Sequence, residues 1–448
     1  MIRMHISEAA WLLGADYNGP DVVFRGCSID SRILPERGLF VALPGYHRDG
    51  HDFVNLAAAE GAAAAMVERR DVRVSLPTIR VSDCRDALGR LAGIWRKRFN
   101  GALIAVTGSN GKTTVKEFLA AIFKESGPTH ATRGNLNNDL GVPLTLLGLG
   151  RNHRRAVVEM GANHRGEIET LAGIARPDIG IITQCAPAHL AGFGDIEGVA
   201  RAKGELFASL GKTGVAIINA DDPYADLWRD LAGHRRVLTF GLDHFADVSA
   251  DYHFASDRTK LTLKTPVGRQ DAEIALPGRH NVLNALAATA AAIAAGCSLE
   301  IIAKGLASSG PVGGRLQIKY ARAGARIIDD SYNANPGSLR AALEVLADYP
   351  EPRWLVLGDM GELGDEGPKL HEDGGALARE LGVTRLFATG SLCRHAVDAF
   401  GFGGYHYVDV ESLLSAVRIG LTRGTTVLVK GSRYMRLEQV VDGLLTWE

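Results

Sequence analysis

Cysteine is scarce and never paired in sequence: five residues (Cys27, Cys84, Cys185, Cys297, Cys393) are scattered over 448, with no C-x-x-C spacing. Reduced, mostly buried thiols and a cytoplasmic setting follow from that pattern. Excess charge of either sign is also missing. Fifty basic side chains face 51 acidic ones with no basic block, so no nucleic-acid partner is expected. Long apolar runs are absent too. The most apolar stretch, 285–295, is mostly alanine and falls well short of the roughly 20 residues of a membrane span, so no membrane insertion is expected. Glu8 interrupts the apolar start MIRMHISEAAWLLG and breaks a signal-peptide core. Internal repeats and low-complexity linkers are lacking. What remains, 46% hydrophobic and 23% charged residues, describes a globular chain too long for one core.

The order of apolar runs suggests an α/β protein. Residues 38–45 read as a strand ended by a turn, 52–68 as an alanine-rich helix, and 87–99 as a helix stopping at Asn100-Gly101. A β–α–β rhythm then begins, with strands at 103–106, 156–160, 179–183 and 215–219 and a helix at 113–125. Such alternation implies a mostly parallel sheet covered on both faces. Residues 247–276 alternate as antiparallel strands, and 281–295 form a helix. A second alternation has strands at 326–328, 354–357, 385–388 and 427–429. The expected domains are 1–100, 101–312 and 313–448.

The stretch VTGSNGKTT (106–114) nearly matches the phosphate-loop pattern G-x-x-x-x-G-K-[ST], with Val106 where that pattern has glycine. It follows an apolar strand and opens a helix, where backbone N–H groups and the helix dipole favour phosphate. Gly108 and Gly111 permit close backbone approach. Lys112 would neutralise phosphate charge, and the Thr113 hydroxyl would reach Mg²⁺. ATP binding is therefore expected across Gly108, Ser109, Asn110, Gly111, Lys112, Thr113 and Thr114. Glu159 and His189 follow strands on the edge where parallel sheets place ligands, as candidate metal ligands or as a loop cap and a solvated histidine. Lys203, in a helical segment, reads from its own context as a surface lysine. Asparagines cluster in TRGNLNNDLGVP (132–143), either as turn chemistry or as amide and hydroxyl contacts. Asn281 and Asn284 share one helix face; they suit an adenine edge, although Asn281 could equally cap the helix.

Taken together, TGSNGKTT, NLNND-GVP, VVEMG, APAHL, ARAKGEL, GRHNVLNALAA, GGR (313–315), IDDSYNANP and VKGSR resemble the Mur ligase family, the ATP-dependent amide ligases of peptidoglycan-precursor synthesis. The resemblance spans essentially the whole chain, and the family's own loop is the short T-G-x-N-G-K-T form. It implies an N-terminal UDP-substrate domain, a central phosphate-loop ATPase domain and a C-terminal Rossmann-like domain. DSYNANP, with no D-N-P-R motif elsewhere, resembles the members that add a D-alanyl-D-alanine dipeptide to UDP-N-acetylmuramoyl-tripeptide. SIDSR and DGHDF resemble their uridine-nucleotide domain, with Pro44 standing where a lysine is expected.

Residue roles follow from the resemblance alone. Thr113, Glu159, His189 and Lys203 match a site for two magnesium ions, with Lys203 carbamylated by CO₂ to supply oxygen ligands. Asn138 matches an active-site polar contact, and Asn281 and Asn284 the nucleotide-facing pair. Arg315 matches a phosphate contact and Asp330 a ribose contact. Ser31, Arg32, Asn137, Asn333 and Asn335 fall at expected substrate contacts. Partners would be the small-molecule substrates, acting on a monomer. Rival readings are a relative that adds a single amino acid, a folate ligase, and a nucleotide-binding homologue that has lost ligation.

Overall fold

In the computed structural model of the chain, the described residues are 1–45, 48–69, 74–187, 190–255, 258–321 and 324–446. The architecture is α/β in three domains. At the N-terminal end a five-stranded sheet runs in the order Asp16–Asn18, Thr78–Arg80, Ala64–Val67, Leu39–Val41, Cys27–Ser28. Arg3–His5 pairs separately with Val23–Arg25. The helix read at 52–68 is corrected here. A 3₁₀ turn (Gly50–Phe53) and a short helix (Val54–Ala59) end at Gly61, and Ala64–Val67 is a fully buried central strand. Alanine composition favours a helix, but pairing on both edges outweighs that preference. His51 of the DGHDF stretch is a structural tie. Its Nδ1 lies 2.6 Å from Asp49, and its Nε2 accepts the Glu68 N–H at 2.9 Å.

The central sheet is entirely parallel, ordered Arg236–Phe240, Val215–Asn219, Ile179–Ile182, Ala102–Thr107, Arg155–Glu159, Thr129–Ala131. Ala102–Thr107 lies inside it and feeds helix Lys112–Lys124. The alanine-rich helix Arg279–Ala294 is buried nearly all round against that helix. Small side chains there allow two helices to approach closely. Three antiparallel strands, Ser249–Phe254, Thr259–Thr265 and Gly268–Ile274, flank it.

The hydrophobic core does not break at residue 100. Helix Cys84–Arg96 places Leu91 and Trp95 in one cluster with Leu103, Leu146 and Leu171. Arg96 adds polar ties, donating to the carbonyls of Ala175, Phe99 and Arg176. The C-terminal sheet runs Gln317–Tyr320, Arg326–Asp330, Thr426–Lys430, Arg353–Gly358, Arg385–Thr389, Gly404–Tyr407, parallel except for its first strand. No helix of the described residues is long and apolar enough to cross a membrane.

Candidate functional site

The loop at 106–114 is shaped by its two glycines. Gly108 has φ +141° and Gly111 φ +82°, in the region that side chains rarely adopt. A Cβ on Gly108 would land on the Thr183 hydroxyl, and one on Gly111 on the Asn284 amide. The loop is then clamped to the neighbouring strand's exit: Ser109 N donates to Gln184 O at 2.9 Å, and Ser109 Oγ to Ala186 O at 3.0 Å. Lys112 Nζ folds back onto the carbonyls of Gly108 and Ser109, at 2.6 and 3.2 Å. Burial pulls its pKa down to about 8, with Glu159 opposing that fall and Arg315 adding to it.

Glu159 owes its place to strand register. It pairs opposite Val106, at the carboxyl end of its strand and beside the loop. The side chain is buried. Oε1 accepts from Asn137 Nδ2 at 2.8 Å, whereas Oε2 has no hydrogen-bond partner. A buried carboxylate oxygen without a donor is unfavourable unless a cation meets it. This orphaned oxygen fits a hard cation such as Mg²⁺, whereas the Thr113 hydroxyl accepts from Arg315 Nη2. His189, the other expected ligand, lies outside the described residues.

Lys203 is not a surface lysine. It is buried on helix Ile196–Ala208, with Nζ 3.4 Å from Ala162 O and 5.3 Å from the Phe193 ring centroid. Burial, and then the Lys112 charge, lower its pKa to about 7. It stands behind Ala162 and does not line the cleft that Lys112 and Glu159 share.

Two connected hollows meet at Lys112 and Arg315. The first, about 190 Å³, is lined by the loop, Asn281, Asn284, Asp330 and Asn335. Asn281 is not the helix cap. Gly278 holds that position, and Asn281 Nδ2 donates to Pro277 O at 2.7 Å while its Oδ1 accepts from Asn284 Nδ2 at 3.2 Å. Asp330 and Lys430 are register partners on adjacent parallel strands and form an ion pair. Burial pushes the Asp330 carboxyl up against the pull of Lys430. His280, on the same wall, is driven by burial to about 4 and is a neutral imidazole.

The second hollow, about 890 Å³, opens from Glu159 between all three domains and includes Asn137, Asn138, Asn333 and Arg433. Lys112, Arg165, Arg315, Arg433 and Arg85 face it against three carboxylates, Asp139, Glu159 and Glu167, of which Asp139 is paired with Arg85. That balance suits an anionic substrate. Asn138 Oδ1 accepts from Gly141 N at 2.9 Å, so part of its amide orders the following helix. Asn335 caps helix Pro336–Ala347. Arg315 Nη2 donates to Thr113 Oγ1 at 3.3 Å and links the C-terminal domain to the loop. Ser31 and Arg32 line neither hollow. Ser31 is buried, and Arg32 is exposed in a two-pronged pair with Asp30 at 2.9 and 2.8 Å.

Sequence reasoning assigned no role to Lys430, His280, Tyr332 or Arg433, although each sits inside a quoted motif. A further buried group, Asp359, His371 and Cys393, has ligand atoms within 4.8 Å of one another. Both His371 nitrogens are already used, however: Nε2 accepts the Met360 N–H at 2.9 Å, and Nδ1 donates to Gly367 O at 2.7 Å. This cluster fastens turns of the C-terminal sheet.

Comparison with known proteins identifies the family. The Mur ligase family catalytic domain matches residues 23–96, the Mur ligase middle domain 106–292, and the Mur ligase glutamate ligase domain 314–433. The UDP-N-acetylmuramoyl-tripeptide–D-alanyl-D-alanine ligase of Escherichia coli K12 is 41% identical, over 99% of both chains. Two solved Acinetobacter baumannii structures are each 34% identical over 100% of this chain. One, described as MurF, has a TM-score of 0.93 over 100% of its own chain. The other, described as a UDP-N-acetylmuramoylalanyl-D-glutamyl-2,6-diaminopimelate–D-alanyl-D-alanyl ligase, has a TM-score of 0.88 over 99% of its chain. MurF of Thermotoga maritima in complex with ADP is 28% identical with a TM-score of 0.83, covering 94% of this chain and 97% of that one. With such similarity along its whole length, the chain belongs to the Mur ligase family.

Proposed function

We propose that the chain joins D-alanyl-D-alanine to UDP-N-acetylmuramoyl-tripeptide in an ATP-dependent amide ligation, releasing ADP and phosphate, as a cytoplasmic, monomeric enzyme of peptidoglycan-precursor synthesis. The observation that carries this reading is the convergence of the phosphate loop, Glu159 with its unpartnered oxygen, and Arg315 on one three-domain cleft. The name of the A. baumannii relative supports 2,6-diaminopimelate as the third residue of the acceptor peptide. The domain limits are proposed as 1–100 for the UDP substrate, 101–312 for ATP and 313–448 for the dipeptide.

A carboxylate is a poor acyl donor. The acceptor's terminal carboxylate oxygen would attack the γ-phosphorus, giving an acyl phosphate as ADP leaves. The dipeptide amine would then add to the acyl carbon, and the tetrahedral oxyanion would collapse with loss of phosphate. Both steps gather negative charge, which the loop N–H groups, Lys112 and Arg315 are placed to stabilise. Bound magnesium would supply further charge neutralisation, held by Thr113, Glu159 and His189, with Lys203 contributing only as its carbamate, since the free amine sits behind Ala162 and has no oxygen to offer.

Carbamylation of Lys203 is part of the proposal. Its support here is chemical: a buried amine with a pKa of about 7 is substantially unprotonated near neutrality and so nucleophilic toward CO₂. Asn281 and Asn284 are assigned to the adenine and Asp330 to the ribose. Asn137, Asn138, Asn333 and Asn335 are assigned to the peptide substrates. Ser31 and Arg32 are assigned to the uridine nucleotide. Phosphate release tests the reaction. It should require both UDP-N-acetylmuramoyl-tripeptide and D-alanyl-D-alanine, and release with only one of them would overturn the reading.

A further inference from the structure

The C-terminal wall of the cleft brings two guanidinium groups to one aromatic ring. Arg315 Cζ lies 4.5 Å and Arg433 Cζ 5.7 Å from the Tyr332 ring centroid. All three side chains line the hollow that holds Lys112, Glu159 and Asn333. Two like charges on one ring repel, and the ring's negative face offsets only part of that repulsion. An anion between or beside them would relieve it.

The two arginines are committed differently. Arg315 donates to Thr113 of the phosphate loop and so belongs to the nucleotide side. Arg433 is anchored from behind by Glu438, through Nη1 alone, at 3.0 Å. A guanidinium has five N–H donors in a planar fork. Here the Nε and Nη2 edge makes no other hydrogen bond among the described residues, and the side chain is 60% exposed. The third cation of this wall, Lys430, is buried and paired with Asp330. Arg315 also keeps donors without a partner among the described residues, but its tie to Thr113 commits it to the nucleotide side. Arg433 is therefore the cation of the wall left for an anion outside the nucleotide.

The proposed amine substrate has such an anion at its far end. Its amine must reach the acyl carbon near Lys112 and Glu159, which puts its terminal carboxylate about 7 Å further on along an extended dipeptide. We infer that Arg433 receives the terminal carboxylate of the incoming dipeptide through its Nε and Nη2 edge, with Tyr332 and Glu438 as positioning residues. This assignment rests on the ligation proposed above. A planar fork suits a carboxylate in a two-pronged contact that a lysine cannot reproduce.

The test uses phosphate release by the full chain, with ATP and UDP-N-acetylmuramoyl-tripeptide saturating, and compares D-alanyl-D-alanine with its C-terminal amide. In the unaltered protein the amide should raise KM roughly tenfold to a hundredfold. Arg433→Ala should raise KM for the free acid by a similar factor and bring acid and amide close to parity. KM values for ATP and for the UDP-tripeptide should stay within about twofold. Arg433→Lys should restore only part of the discrimination. Tyr332→Phe, which keeps the ring, should keep it, and Tyr332→Leu should lose most of it. Unchanged acid-over-amide preference in Arg433→Ala would overturn the assignment, as would a defect confined to the UDP-tripeptide. No dipeptide-dependent release even by the unaltered protein would instead overturn the proposed ligation, and this assignment with it.

Discussion

Asn110 of the phosphate loop and Asn335 of the C-terminal domain, 225 positions apart, exchange hydrogen bonds between their amides: Asn335 Nδ2 donates to Asn110 Oδ1 at 2.7 Å, and Asn110 Nδ2 to Asn335 Oδ1 at 3.3 Å. Asn335 Oδ1 also caps its own helix through Ser338 N at 2.9 Å. One amide thus ties the start of a C-terminal helix to the loop expected to hold ATP.

Breaking this clasp without removing the cap should separate closure from folding. Asn335→Ser retains a capping oxygen, so thermal stability should fall by less than about 1 kcal/mol. Its shorter side chain cannot span to Asn110. KM for ATP should rise, and compaction with nucleotide and substrate in small-angle scattering should shrink. Equal compaction in variant and parent would rule out the clasp as a closing contact.

Glu159→Gln keeps an oxygen for the Asn137 amide and removes the charge from the unpartnered side. The magnesium concentration for half-maximal phosphate release should rise at least tenfold, with the melting temperature without nucleotide equal or higher, because a buried charge is gone. An unshifted magnesium titration would show that Glu159 is not a ligand.

Lys203→Ala should abolish ligation, and a short-chain carboxylate should restore part of it by supplying the missing oxygens. Labelled bicarbonate should give a carbamate carbon signal in the parent protein that the variant lacks. Full activity in Lys203→Ala would refute the role.

Acid should destabilise the fold through two half-buried histidines whose rings are desolvated. His280 and His130 are both held by burial at about 4, against an ordinary value of 6.5. Between those values the unfolded chain binds more protons than the folded one, so stability is full above pH 6.5 and falls as pH drops toward 4. His130 stacks on His153 at 5.2 Å, away from the cleft. Melting temperatures from pH 7 to 4.5 should decline less steeply in His130→Gln. A parallel decline would show that His130 does not contribute.

Much of the fold is legible locally. The strand at Val215–Asn219 and the helix at Lys112–Lys124 follow from apolar runs and glycine punctuation, because periodicity is set by neighbours in sequence. The helix expected at 52–68 failed for the opposite reason: Ala64–Val67 takes its state from strands on either side, not from its own composition. The site divides in the same way. Loop chemistry at Gly108, Gly111, Lys112 and Thr113 is visible in nine consecutive letters, and the motif set identifies the family. Lys203 looks like a surface lysine in its own window, and only packing makes it a buried, weakly basic amine.

By itself, then, the sequence determined which chemical groups are available and, outside segments such as Ala64–Val67, in which kind of element they reside, since backbone propensity and glycine geometry act over a few residues. The tertiary structure alone decided their company. Strand register set Glu159 beside the loop and Asp330 beside Lys430. Domain contact joined Asn110 to Asn335 and drew Arg315 and Arg433 onto Tyr332. Register and domain contact depend on pairings between distant segments, which no local window encodes.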